Sequence, residues 1–149
     1  MGFFGSMNVS ATGLSAQRFR MDVISQNIAN VDTTRTEDGT PYKRKLTLFE
    51  ERKDNNSFSN FFTNALSLSG AEYGNGVRVS RVVEDQSEGT KVYEPSHPDA
   101  DEDGYVLKPN VNIVNEMVNM IAASRSYEAN LTAMNATKSM ITKTLEIGK

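Results

Sequence analysis

Apolar residues recur at helical spacing at both ends of the chain and alternate like strands only in between. Met7, Leu14, Met21 and Ile28 repeat at intervals of seven, and Ser10, Gln17, Ile24 and Val31 fill the offset of three. This seam predicts a helix reaching about Asp32, with Asn30 before "VDTT" as its left-handed stop. Gly13 costs about 1 kcal/mol against Ala inside such a helix, but beside Ala11 and Ala16 it lets another backbone come close. At the other end, Ile113, Met120, Tyr127, Met134 and Ile141 repeat at seven. Met117, Ser124, Leu131, Lys138 and Leu145 fill the offset of four. Neither Pro nor Gly interrupts Ile113 to Ile147, so a single helix of about 52 Å is expected at ~1.5 Å per residue. Asn110 or Asn112 is placed to cap its start, and Gly148 to mark its end.

The middle of the chain, residues 33–109, reads differently. "YKRKLTLF" puts Tyr42, Arg44, Leu46 and Leu48 on one face of a strand, which Arg44 leaves half buried at best. "GVRVSRVV" puts Val77 and Val79 on one face of another, and "KVY" and "GYVL" are short candidates. Gly74-Asn75-Gly76 and Glu88-Gly89 mark turns. Between the first two strands, residues 51–76 form an Asn- and Ser-rich loop that carries Phe58, Phe61, Phe62 and Leu66.

The expected fold is therefore α+β: long N- and C-terminal helices paired in a coiled-coil-like layer around a small central β domain. The expected division is an N-terminal helix at 1–32, a β-rich region at 33–109 and a C-terminal helix at 110–149. A compact globule of this length is only about 40 Å across, so the second helix outreaches the body it belongs to. The shorter first helix covers part of it. An uncovered apolar stripe is unfavourable by roughly 25 cal/mol per Å², which points to another chain as the cover. The expected assembly residues are Met7, Leu14, Met21, Ile24, Ile28, Val31, Ile113, Met117, Met120, Tyr127, Leu131, Met134, Ile141 and Leu145. An ordinary two-helix hairpin on a small sheet is the competing expectation.

Composition removes most other functions. The chain of 149 residues has net charge −3 and no basic patch beyond Lys43, Arg44 and Lys45, which argues against nucleic-acid binding. It has no cysteine, so neither disulfides nor thiolate sites are available. Hydrophobic residues make up 38% and there is no Trp, low for a compact enzyme. The longest apolar run, Met120 to Ala123, is far short of a membrane span. "MGFFGSMNVSATG" lacks the pattern of a cleaved secretory signal, so standard signals alone suggest a soluble cytoplasmic protein.

"DADEDG", Asp99 to Gly104, opens like a calcium loop, but position twelve is Asn110 rather than Glu and prolines flank it. An acidic solvated turn is the better reading. His97 is the sole histidine and reads as a loop residue. Glu50 and Glu51 fall on opposite strand faces, wrong for a shared acid–base site. No catalytic, cofactor-binding or metal-binding residue is expected, and no small-molecule substrate. Asn27, Asn30, Arg125, Glu128 and Asn130 are candidate register residues, since a polar residue inside a helical seam fixes alignment. For Arg125 and Glu128 a surface ion pair at i, i+3 remains the alternative.

Two long stretches carry a resemblance. "GLSAQRFRMDVISQNIANVDTTRTEDGTPYKRK", Gly13 to Lys45, is similar to the N-terminal signature of the flagellar rod and hook family. "VYEPSHPDADEDGYVLKPNVNIVNEMVNMIAASRSYEANLTAMNATKSM", Val92 to Met140, resembles the proximal rod members of that family. The resemblance covers residues 6–50 and 90–147. It implies a structural, non-enzymatic subunit of the bacterial flagellar basal body, in place of the cytoplasmic reading. It also implies type III export without a cleaved signal, and termini that order on assembly into an inner helical layer. The implied partners are further copies of itself, the rod proteins FlgB, FlgF and FlgG, the rod–ring adaptor FliE, and the export apparatus in transit. Phe19–Val23, Phe58–Phe62 and Phe62–Leu66 each fit the aromatic–hydrophobic spacing proposed for the export gate. Another secreted coiled-coil assembly protein, needle- or translocator-like, is the alternative.

Overall fold

The structure, a computed structural model, describes residues 3–52 and 75–147. Two long helices, α1 (Phe3–Ala29) and α2 (Ile113–Ile147), flank four strands: β1 (Lys45–Glu51), β2 (Val77–Glu84), β3 (Thr90–Tyr93) and β4 (Tyr105–Lys108). β1 pairs antiparallel with β2, and β3 with β4, as two separate two-stranded sheets. The fold is α+β, with long terminal helices and a small central β region. Most of the loop expected at 51–76, with the export candidates Phe58–Phe62 and Phe62–Leu66, lies outside the described residues.

The helices form an antiparallel pair. Gly13 faces Asn130, and Asn27 bonds to Glu116, which together fix one register. In that register the start of α1 reaches the level of Met140, and residues 141–147 extend beyond it by about 10 Å. α1 stops where Asn30 was expected to stop it: Asn30 Nδ2 donates to the Gln26 carbonyl at 2.8 Å, and Asn30 Oδ1 accepts from Thr33. Asn112 is the N-cap of α2, its Oδ1 accepting from Asn115 N at 3.1 Å. Asn110 instead accepts from the backbone N–H of Arg44.

On α1 the buried residues are Gly13, Ala16, Val23, Ile24 and Asn27, and of the expected seam only Ile24 is among them. Met7, Leu14, Met21, Ile28 and Val31 are half-buried and Ile24 is buried. On α2 one line of the expected pair fails. Met120, Tyr127, Met134 and Ile141 are half-buried, but Met117, Leu131, Lys138 and Leu145 are exposed, as is Ile113. The line that turns inward is Glu116, Ala123, Asn130 and Thr137. The reason lies partly on α1: Gly13 is buried there, and the space left by its missing side chain takes the Asn130 amide. Bulky Met117 and Leu131 would hold the axes apart.

The β1–β2 ribbon also packs on α1. A Cβ on Gly76 would clash with Thr12 Oγ1, and its φ of +96° is itself a glycine conformation. Thr12 Oγ1 accepts from Val77 N at 3.2 Å, seating the start of β2 on the helix. Val77 and Val79 are half-buried, as expected. The expectation for β1 is reversed along the strand itself: Leu46 and Leu48 are exposed while Lys45, Thr47 and Phe49 are half-buried. Asn27 binds the backbone N–H and carbonyl of Lys45, which joins the first residue of β1 to α1. The register shifts by one between Leu48 and Phe49, leaving Ser80 as a bulge. β3 and β4 form a hairpin closed by Val106, which is fully buried, and by an edge-to-face pair of Tyr93 and Tyr105 at 5.3 Å. Among the described residues the buried apolar core is only Ala16, Val23, Ile24, Val106 and Ala123.

Gly13 gives a test whose sign inverts. A Cβ there would lie 2.8 Å from Asn130 Oδ1. Gly13→Ala therefore lowers the melting temperature despite a helix-propensity gain of about 1 kcal/mol. In the Asn130→Ala background the same substitution raises it. Thermal denaturation of the four proteins checks both signs.

Candidate functional site

Two features distinguish this molecule: a buried polar clasp where the two ends meet the β region, and an apolar outer face on α2. The clasp centres on Asn27 and Glu116, each only 1% exposed. Asn27 Nδ2 donates to the Lys45 carbonyl at 2.8 Å and to Glu116 Oε2 at 3.0 Å. Its Oδ1 accepts from Lys45 N and from the Tyr42 hydroxyl, both at 2.9 Å. All the hydrogen-bonding capacity of one amide is thus spent joining α1, the approach to β1, and α2.

Arg44 supplies the cation. Its Nε donates to Glu116 Oε1 at 3.0 Å and its Nη2 reaches the same oxygen at 2.5 Å. Its backbone carbonyl accepts from Asp85 N at 2.7 Å, tying the exit of β2 to the same point. The Asp85 carboxylate stands 3.9 Å from the guanidinium. Hydrogen bonds from Ser87, aided by Arg44, hold the Asp85 carboxyl below its usual range. Burial, with Glu116 and Glu84 nearby, raises Tyr42 above the ordinary tyrosine value, so its hydroxyl stays protonated and donates.

A smaller network holds the β3–β4 loop. Lys108 donates to Glu94 at 2.9 Å, which lowers the carboxyl and raises the amine. Asp99 accepts from the Thr34 hydroxyl at 2.8 Å and faces Arg35 at 3.9 Å. The acidic stretch is thereby tied to the 33–41 loop. His97 Nδ1 accepts from Asp99 N. Among the described residues no cluster of three or more His, Asp or Glu is arranged to hold a metal ion. Among them also, no helix is long and apolar enough to cross a membrane.

The candidate register residues are placed unequally. Asn27 is the hub of the clasp. Asn130 lies in the helical seam against Gly13, its Nδ2 donating to the Ser126 carbonyl. Asn30 closes α1 and does not align the helices. Arg125 and Glu128 are exposed, and the salt bridges of the chain do not include a bond between them. Arg44 and Glu116 were missed as a pair. A charge at Arg44 interrupting an apolar strand face, and a charge at Glu116 on the Ala123–Asn130–Thr137 line, were the available signals.

The second feature follows from the inverted packing of α2. Val114, Met117, Val118 and Ile121 form a continuous outward stripe at i, i+3, i+4 and i+7, all exposed. Leu131, Met140, Leu145 and Ile147 continue the exposure toward the far end, where Phe4 of α1 is also exposed. Scattered exposed apolar residues are ordinary, but a helical stripe of them marks an interaction surface.

Comparison with known proteins agrees with this picture. Residues 7–35 match the family model described as flagella basal body rod protein. Residues 102–147 match that described as flagellar basal body rod FlgEFG protein C-terminal. The chain is 51% identical to the flagellar basal-body rod protein FlgC of Bacillus subtilis, with 100% of both chains covered. It is 50% identical to that of Borreliella burgdorferi, over 99% of this chain and 98% of the relative. It is 37% identical to that of Salmonella typhimurium, again over the whole of both.

The clasp predicts an asymmetry. Arg44→Ala strands a buried carboxylate and costs about 3–5 kcal/mol. Glu116→Ala leaves a part-exposed guanidinium that still has Asp85 nearby and costs about 1–2 kcal/mol. Urea denaturation of the full chain checks the order; equal costs would mean that Glu116 is not held as a buried ion.

Proposed function

The chain belongs to the FlgC family of flagellar basal-body rod proteins, and we propose that it serves the rod through the outer face of α2. It is a structural subunit of the bacterial flagellar basal body. The observation that supports the reading lies on α2: the Glu116–Ala123–Asn130–Thr137 line turns inward, while the bulky Val114, Met117, Val118, Ile121, Leu131 and Leu145 are exposed. A lone chain gains nothing from that arrangement, whereas a neighbour docking on the stripe buries it at roughly 25 cal/mol per Å².

In this reading the expected assembly residues divide into two groups. Met7, Leu14, Met21, Ile24, Ile28, Val31, Met120, Tyr127 and Met134 close the hairpin within one subunit, with Ile141 half-buried at its open end. Ile113, Met117, Leu131 and Leu145, joined by Val114, Val118 and Ile121, dock on neighbours. The terminal segments 1–32 and 110–149 form the inner layer, and 33–109 faces outward. The partners are further copies of this chain, FlgB, FlgF, FlgG and FliE. Delivery is by type III export without a cleaved signal. The small buried core supports coupling of helix order to docking, because little apolar surface is hidden within one chain. A contact repeated without closure gives a helical axle.

Met117→Asp and Met134→Asp separate the two groups. Met117 is exposed, so its variant folds with a loss of about 0.5 kcal/mol or less, yet is absent from purified basal bodies and leaves cells non-motile. Met134 lies in the internal seam, so its variant loses helical content in circular dichroism before assembly is asked of it. Normal basal bodies carrying the Met117→Asp chain would overturn the reading.

A further inference from the structure

The entry to β2 holds a reactive step that neither the helical pair nor the clasp uses. Asn75 is followed by Gly76, the one Asn–Gly step in the sequence. The fold requires glycine there, because Gly76 has a φ of +96° and an added Cβ would clash with Thr12. No side chain on Gly76 therefore shields its backbone nitrogen from the amide of Asn75. Asn75 is half-buried, so water also reaches it.

Two Asp–Gly steps, Asp38–Gly39 and Asp103–Gly104, offer an internal comparison. Their glycines also have positive φ, +74° and +80°. In both, the glycine N–H is held in a turn. Gly39 N donates to the Thr36 carbonyl at 2.9 Å, and Gly104 N donates to the Asp101 carbonyl at 2.8 Å. Gly76 N has no acceptor among the described residues. The peptide that follows it is gripped at both polar ends: the Gly76 carbonyl accepts from Arg52 N at 2.9 Å, and Val77 N donates to Thr12 Oγ1 at 3.2 Å.

We infer that Asn75 is a site of spontaneous deamidation, by ring closure of its amide onto the Gly76 nitrogen, at a rate restrained by the seating of β2 on Thr12. The Gly76 nitrogen attacks Asn75 Cγ and gives up its proton. The bond from Cγ to Nδ2 breaks, and ammonia leaves with that proton. Water then opens the five-membered imide at either carbonyl, giving aspartate or isoaspartate, with no oxidant or reductant involved. The product carries a carboxylate where the amide stood and, as isoaspartate, one more backbone carbon ahead of Gly76. The two Asp–Gly steps lack an ammonia to lose and have their nitrogens engaged. Ring closure must turn the backbone at Gly76, which the Arg52 and Thr12 bonds oppose. The inference is independent of the rod-subunit reading.

The test keeps the full chain in heavy-oxygen water at mildly alkaline pH and maps the label by mass spectrometry after digestion. Label is expected to accumulate at Asn75 faster than at Asp38 or Asp103. Asn75→Gln, whose longer side chain cannot close the five-membered ring, is expected to abolish it. Thr12→Val keeps the side-chain shape but removes the acceptor of Val77 N–H. It is expected to raise the rate about fivefold, the worth of one such hydrogen bond. Thr12→Ser, which keeps the hydroxyl, is expected to retain the native rate. Unfolding the native chain in urea gives a second readout without substitution, and conversion there is expected to be faster than in the folded chain. Label at Asn75 no greater than at the two Asp–Gly steps, or a rate that Thr12→Val or unfolding fails to raise, overturns the inference.

Discussion

Gly13 lies so close to Asn130 that a single added methyl would meet its side-chain oxygen at 2.8 Å, and this proximity governs which residues of each helix turn inward. Helices that approach closely meet through small residues, because a large side chain at the contact sets the axial distance. Ala16 and Ala123 are buried, with Asn130 and Thr137 on the same line as Ala123. The larger residues of α2 are displaced to its other side. The apolar outer stripe is thus a direct result of how tightly the inner one packs.

The clasp complements that packing. Apolar and small contacts slide readily by a turn, whereas a buried amide with four partners tolerates no such shift. Asn27 binds the backbone of Lys45, the hydroxyl of Tyr42 and the carboxylate of Glu116. Arg44 joins the same carboxylate and, through its main chain, Asn110 and Asp85. Helix register, ribbon orientation and the entry to α2 are fixed at one place. The buried ion pair contributes definition of geometry more than net stability, which suits a part that must hold its shape under load.

Much of this was legible from residue spacing. The unbroken run from Ile113 to Ile147 is one helix, and the turn and cap residues Asn30 and Asn112 act where expected. The strands "KVY" and "GYVL" pair with each other. What spacing could not reveal was the choice between two lines on α2 that differ by one position, Met117–Leu131–Leu145 and Glu116–Ala123–Asn130–Thr137. Hydrophobicity favours the first, but Gly13 leaves room for the Asn130 side chain of the second, and that fit is a tertiary fact. The same holds for Leu46 and Leu48, which the tertiary packing leaves on the exposed face of β1. The partnership of Arg44 with Glu116 joins residues far apart in sequence, and no local pattern encodes it. Family membership rested on the long motifs at the two ends, which the full-length relatives bear out.

The most direct measurement is residue-resolved carbene footprinting of the dilute chain and of the same chain within purified basal bodies. Val114, Met117, Val118 and Leu145 are expected to be heavily labelled in solution and protected in the rod, with the labelling of Leu48 much less changed. Equal labelling of the α2 stripe in the two states would contradict the account, because the face left over by the tight helical pair would then have no neighbour to cover it.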